Sequence, residues 1–208
     1  MKAIGIFPTP IFEIDVPTDI YAQVLSLCHT IDWDDPDEKY AGGASSSCVM
    51  NFPKQGGILS YSDFTPFCKF AEEHLETINQ GILPNNYCSN VKIQAAWVNR
   101  YKRGDYNRAH NHPWSIYSGV MFVTGQSGDM TFVKPSAYND ERLKLSNVHE
   151  QYTYSPTPGK LVIFPSDLRH YVTENESDTI RYSLAFNAMP MTVYDGHTVQ
   201  FGNCHKEE

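Results

Sequence analysis

The chain has 208 residues, of which 41% are hydrophobic and 13% aromatic, and a formal net charge of −8. That length fits one domain with a sizeable core. The acidic balance argues against general affinity for nucleic-acid phosphates or anionic membranes, and no apolar run reaches the length of a membrane span. The cysteines, at positions 28, 48, 68, 88 and 204, are odd in number and form no C-x-x-C pair. Scattered cysteines of this kind suit a reduced, intracellular chain. The first residues, MKAIGIFPTPIFEIDVP, lack the continuous apolar stretch and cleavage site of a secretory signal. The expectation is a soluble cytoplasmic protein.

Residues 4–16 alternate loosely (Ile4, Ile6, then Ile11, Ile14, Val16) around Pro8 and Pro10. Proline is excluded from central ladders, so this reads as an edge strand. Thr18 and Asp19 then open a helix whose apolar residues Ile20, Val24, Leu27, Cys28 and Ile31 fall at helical spacing. WDDPDEKYAGGASSS is loop-like; a plain surface loop and a segment near an active-site mouth both fit it. A second helix is marked by Thr65 as N-cap, Pro66 behind it and Gly81 as its stop. Its stripe is Phe67, Phe70, Ala71, His74, Leu75 and Ile78, which makes His74 a packed core histidine. Leu83 to Asn90 is a turn-rich connector.

From Val91 the pattern turns to strand. Trp97, Asn99 and Tyr101 alternate with Val98 and Arg100, so that one row points in and the other out. Arg100, Lys102, Arg103 and Arg108 make a local basic patch, suited to solubility or to an anionic small substrate rather than to a duplex. Ser115–Thr124 and Asp129–Val133 suggest a hairpin through a G-Q-S-G turn. Lys134 to His149 is a polar excursion, longer than ordinary hairpin loops. His149, His197 and His205 have no partner motif.

The chemistry-bearing residues lie inside this strand-rich half. His110 and His112 stand two apart, and in an extended backbone i and i+2 share a face. Two imidazoles converging in this way make part of a metal site that needs a third ligand from elsewhere. The segment from Gly159 to Ala188 offers one. It reads as a buried strand (Leu161–Phe164), a turn at Pro165, Ser166 and Asp167, and a short strand carrying His170. A polar turn, ENESD, leads to another strand, Thr179 to Phe186, on which Arg181 and Ser183 share one face. A guanidinium fork beside a hydroxyl is suited to gripping a carboxylate with two hydrogen bonds.

These elements, in this order, resemble the iron(II)- and 2-oxoglutarate-dependent dioxygenases, most closely the prolyl-hydroxylase-like branch and the oxygenases of marine bacteria and phages. In that branch a Tyr precedes G-x-[FY]-x-x-x-H-x-D. Here Tyr101 precedes Gly104-Asp105-Tyr106 and then His110-Asn111-His112. The family's later G-x-L-x-x-F-x-S…H is matched by Gly159, Leu161, Phe164, Ser166 and His170, and its R-x-S by Arg181 and Ser183. The likeness spans roughly residues 91–188. It departs from the pattern at one ligand, where His112 stands in place of Asp or Glu.

The resemblance implies a mainly β fold, a double-stranded β-helix (jelly-roll) core buttressed by two N-terminal helices. The chain would form a single domain, 1–208, with supporting elements in 1–90, the catalytic core in 91–188 and a C-terminal tail in 189–208. It also implies Fe(II) held by His110, His112 and His170, with the keto acid chelating the metal. The far carboxylate would meet Arg181, Ser183 and Tyr101, and O2 would be the co-substrate. Decarboxylation would give succinate and CO2 and oxidise a C–H bond of a small molecule or peptide side chain. Tyr106 and Trp114 are candidates for the substrate side. With three neutral ligands, a cupin-type three-histidine dioxygenase or a zinc enzyme remains open, as does a non-catalytic jelly-roll module. Arg181-x-Ser183 discriminates among these, because neither alternative enzyme needs a keto-acid clamp.

Overall fold

The computed structural model describes residues 9–31, 33, 45–46, 64–82, 91–113, 115–134, 151–194 and 197–200. The strands are β1 (Phe12–Asp15), β2 (Ser45–Ser46), β3 (Val91–Tyr101), β4 (Asn107–His110), β5 (Tyr117–Phe122), β6 (Met130–Val133), β7 (Gln151–Tyr154), β8 (Lys160–Pro165), β9 (His170–Val172), β10 (Arg181–Tyr194) and β11 (His197–Gln200). Two helices, α1 (Thr18–Thr30) and α2 (Thr65–Ile82), precede most of them. All pairings are antiparallel and build two sheets. The larger has the order β1-β8-β5-β10-β3-β2, with β11 on the outer part of β10, and the smaller is β4-β9-β6-β7. From β3 to β10 the chain changes sheet at every step except between β6 and β7. That alternation is the double-stranded β-helix that the resemblance implied.

The period-two pattern explains why the large sheet has a core on each face. One row from β3, β5, β8 and β10, including Val98, Met121, Leu161, Ile163, Leu184 and Phe186, packs against Val24, Leu27, Cys28, Phe67, Ala71 and Leu75 of the helices. The other row faces the small sheet, where Phe122, Val162 and Phe164 meet Met130, Phe132 and Leu168. Each such Leu, Phe or Met removed from water stabilises the fold by about 1.5–3 kcal/mol. Cys28 is fully buried among the helix contacts, and desolvation pushes its thiol up to about 12, which leaves it unreactive at neutral pH.

Most sequence-level elements recur in place. Among the described residues β1 pairs only with β8 and is an edge, and α1 buries Val24, Leu27 and Cys28 as its spacing requires. His74 donates through Nδ1 to the Phe70 carbonyl at 2.8 Å and packs on the Phe70 ring. Thr65 is the first helical residue rather than the cap, and Gly81 lies within the last turn. Boundaries of this kind shift by a residue or two because helix ends fray.

Three readings are corrected. Tyr117–Phe122 and Met130–Val133 do not form a hairpin, since β5 pairs with β8 and β10 while β6 pairs with β7 and β9. The G-Q-S-G stretch is a crossover between sheets. Its Gly125 and Gly128 take φ of 84° and 87°, which L side chains rarely adopt. Second, Ser45 and Ser46, read as loop, add a short strand to β3. Within the expected tail, β10 runs on to Tyr194 and residues 197–200 return as β11. Third, Arg100 belongs to no surface patch: its guanidinium lies 4.8 Å from the Trp33 ring centre and donates to the Trp33 carbonyl at 3.1 Å. Ile4, Ile6, Pro8, residues 34–44 and 47–63, the connector 83–90, most of the 134–149 excursion with His149, and His205 lie outside the described residues, as does the side chain of His197.

Candidate metal centre and anion pocket

β4 and β9 are neighbours at one end of the small sheet, and their register sets His110 opposite His170. His112 lies beyond the end of β4, so strand alternation is not what aims it. Its backbone N–H donates to the Ser166 carbonyl at 2.9 Å, which ties this segment to the turn after β8. Its ring stacks on Trp97 of β3, centroids 5.7 Å apart, and is hydrogen-bonded to the Asn187 side chain of β10. The outcome is the convergence the sequence suggested. One ligand nitrogen from each of His110, His112 and His170 lies within 4.8 Å of the others. The Nε2 atoms of His112 and His170 are 3.3 Å apart. Two imidazoles each bound at about 2.1 Å to one ion hold their nitrogens roughly 3.0–3.4 Å apart, so the donor set fits a metal.

The tautomers favour ligation as well. Nδ1 of His110 donates to the Arg108 carbonyl at 2.7 Å, and Nδ1 of His170 to the Leu168 carbonyl at 2.9 Å. In each ring Nε2 then keeps its lone pair for a metal. Burial, followed by the neighbouring His110, pushes His112 down to about 4 and His170 down to about 3. Both rings are therefore neutral at pH 7. Below about pH 6.5 the unfolded chain takes up protons at these positions that the native state refuses, at about 1.4 kcal/mol per pH unit per proton. Stability of the metal-free protein should therefore fall between pH 6.5 and the native values of about 4 and 3. Urea titrations in chelator across this range check it: the fall should be shallower in His170→Phe, and a pH-independent midpoint would contradict it.

Arg181 is paired in register with Tyr101, and both line the same cavity as the histidines, together with Trp97, Asn99, Asn107, Ser118 and Ser183. The cavity is narrow, about 40 Å³. Arg181 is 1% exposed, yet its Nε and Nη1 have no hydrogen-bond partner among the described residues. Its guanidinium lies 4.5 Å from the Tyr101 ring centre and 5.8 Å from that of Phe122. Burial pulls its pKa down, while Tyr101 and Asp129 act in the opposite direction. No carboxylate lines the cavity among the described residues. An unpaired buried guanidinium costs several kcal/mol, and an entering anion would offset that cost. The Tyr101 hydroxyl is hydrogen-bonded to the side chains of Asn107 and Ser183. Arg181, Ser183 and Tyr101, picked out in the sequence, thus form one polar cluster at the base of the cavity.

Tyr106 stands apart from the cavity. It is 38% exposed and lines a surface groove with Arg108 and Tyr171, because the turn of the strand that points Asn107 inward points Tyr106 outward. Trp114 lies outside the described residues. Sequence reasoning missed Asn187, Trp97, Asn107 and the buried pair Ser118 and Ser166, whose hydroxyls are 2.8 Å apart. Asn187 was findable, because extending the Arg181–Ser183 alternation by two more steps reaches it. Its Oδ1 accepts from Ser118 Oγ at 2.9 Å, which fixes the amide beside His112. Asn187→Leu should lower divalent-metal affinity about ten- to a hundred-fold, as losing the partner of a ligating histidine commonly does. Metal titration followed by calorimetry checks this, and unchanged affinity would remove Asn187 from the site.

Two antiparallel sheets enclosing a histidine cluster and a buried arginine define a jelly roll with a candidate metal centre and anion pocket. Comparison with known proteins agrees. Residues 95–187 match the family model described as "Putative 2OG-Fe(II) oxygenase". Among solved structures, a Pseudomonas putida prolyl-4-hydroxylase superposes with a TM-score of 0.57 at 15% identity, covering 87% of this chain and 94% of that one. HygX from Streptomyces hygroscopicus, with nickel and 2-oxoglutarate bound, gives 0.62 at 10% identity, covering 88% and 83%. The epimerase SnoN from nogalamycin biosynthesis, described as non-heme and alpha-ketoglutarate-dependent, also gives 0.62, at 11% identity, covering 88% and 80%. No curated protein matches the chain by sequence. The resemblance to the 2-oxoglutarate-Fe(II) oxygenases is borne out over the jelly-roll core. Among the described residues no helix is long and apolar enough to cross a membrane.

Proposed function

We propose that this protein is an Fe(II)- and 2-oxoglutarate-dependent oxygenase that hydroxylates a small molecule or a peptide side chain. The reaction would be R–H + O2 + 2-oxoglutarate → R–OH + succinate + CO2. The observation that carries this reading is Arg181, fully buried without an anionic partner in the cavity that also holds the three histidines. His110, His112 and His170 would hold the metal through nitrogen and leave its remaining positions for oxygen donors. Bound there, iron supplies the activation of O2 that side chains cannot provide. Arg181 would bind the far carboxylate as a two-point fork, and Ser183 and Tyr101 would orient it by hydrogen bonds. Phe164 and Phe132 against His170 would keep water from that side.

HygX binds nickel and 2-oxoglutarate in its crystal structure, and SnoN is an alpha-ketoglutarate-dependent epimerase. The fold thus hosts more than one kind of keto-acid-dependent protein, and hydroxylation is proposed here as the simplest outcome. A zinc enzyme or a three-histidine dioxygenase without keto acid would leave Arg181 with no use. The experiment is to incubate Fe(II)-loaded protein with 2-oxoglutarate in air and measure succinate. Slow formation without added substrate is expected; none under any loading, with metal bound, would contradict the proposal.

A further inference from the structure

The stretch Gly125–Gly128, whose glycines are spent on a crossover rather than a hairpin, lies against the anion-binding arginine. We infer that Gly128 sets the depth of the keto-acid pocket and so selects a five-carbon over a four-carbon 2-oxo diacid. This rests on the function proposed above.

A Cβ built on Gly125 would stand 2.9 Å from Arg181 Cβ and 3.2 Å from its Cα, and a Cβ on Gly128 would stand 2.7 Å from Arg181 Nη1 and 3.1 Å from the Thr173 carbonyl. The two glycines therefore back different parts of the same side chain: Gly125 the root, Gly128 the guanidinium. Across the guanidinium stands the Tyr101 ring. Gly128 itself does not line the cavity, whereas Arg181 does, so Gly128 sits behind the arginine as seen from the histidines. The strand register agrees. Phe132 of β6 is level with His170 and Met130 with Val172, and Gly128 is two residues further from the metal end.

The neighbouring backbone is fixed. Asp129 N–H donates to Thr173 Oγ1 at 2.7 Å, and Thr173 N–H donates to the Asp129 carbonyl at 2.8 Å. A methyl at position 128 would meet one rigid neighbour, the Thr173 carbonyl, and one that moves, the tip of a long side chain. The guanidinium is what gives, and the space open to it is the cavity. Its advance shortens the distance between metal and cation, which a shorter diacid tolerates and a longer one does not.

The test is anaerobic binding of 2-oxoglutarate and of oxaloacetate to the Fe(II)-loaded protein, in wild type and in Gly128→Ala. Expected is a loss of about ten-fold or more for 2-oxoglutarate, one charge-assisted contact's worth, with oxaloacetate changed several-fold less. Equal loss for both acids, or no loss for either, overturns the inference. Alanine at this φ is strained; if Gly128→Ala does not fold, Gly128→Asn, a residue that tolerates positive φ, reads the same ratio. Arg181→Lys, with its slimmer head, probes the opposite direction: it should favour 2-oxoadipate relative to 2-oxoglutarate, and an unchanged ratio counts against the inference. Failure of wild type to bind either acid would instead sink the proposed function, and the depth assignment with it.

Discussion

Replacing Arg181 by alanine should weaken 2-oxoglutarate binding by about ten- to a hundred-fold, the worth of a bidentate, charge-assisted contact of ~1.5–3 kcal/mol. The contact is unusually exposed to this test because Nε and Nη1 have no other partner among the described residues. Arg181→Lys should rescue only partly, since an ammonium lacks the planar fork. A second consequence separates binding from folding. Removing an unpaired buried charge relieves a desolvation penalty, so Arg181→Met should leave the keto-acid-free protein as stable as wild type or more so. Calorimetric titration and thermal unfolding measure the two effects. Equal affinity for the keto acid in wild type and Arg181→Ala would remove the guanidinium from the pocket.

The second large effect concerns His112, where this chain departs from the carboxylate pattern of the family it resembles. Its Nε2 is turned toward that of His170, with Trp97 and Asn187 holding the ring from behind. His112→Ala should lower Fe(II) affinity by about ten-fold or more, as loss of one of three protein ligands implies. His112→Asp should bind Fe(II) and decarboxylate 2-oxoglutarate at least as well as wild type, because an anionic ligand offsets the ion's charge. A metal-bound structure with His112 turned outward would refute the three-histidine centre. Unaltered metal affinity in His112→Ala would do the same.

The helices and most strands were legible because burial writes itself into the sequence with two periods, whereas the jelly roll that joins them came from the family resemblance. Val24, Leu27 and Cys28 mark a helix face, the alternation from Trp97 to Tyr101 marks a strand, and the apolar run Leu161–Phe164 marks a buried one. The histidines and Arg181 were legible as a spaced set on predicted strands. What sequence could not carry was pairing. A G-x-x-G turn between two apolar runs signals a hairpin, but β5 and β6 part company there because each finds better partners in separate sheets. Nor does local alternation show that Arg181 needs the crossover glycines behind it, or that Tyr106 faces outward while Asn107 faces in. Asn187 escaped because the strand carrying Arg181 and Ser183 was read as ending at Phe186, one residue short of it.

The most direct measurement is anaerobic titration of the protein with Fe(II) and then 2-oxoglutarate, followed by the visible metal-to-ligand charge-transfer band. The account predicts a saturable band in wild type that needs both components, shifts to about ten-fold or higher keto-acid concentration in Arg181→Ala, and disappears with chelator. A protein that binds Fe(II) through its histidines yet shows no band at any 2-oxoglutarate concentration would contradict it.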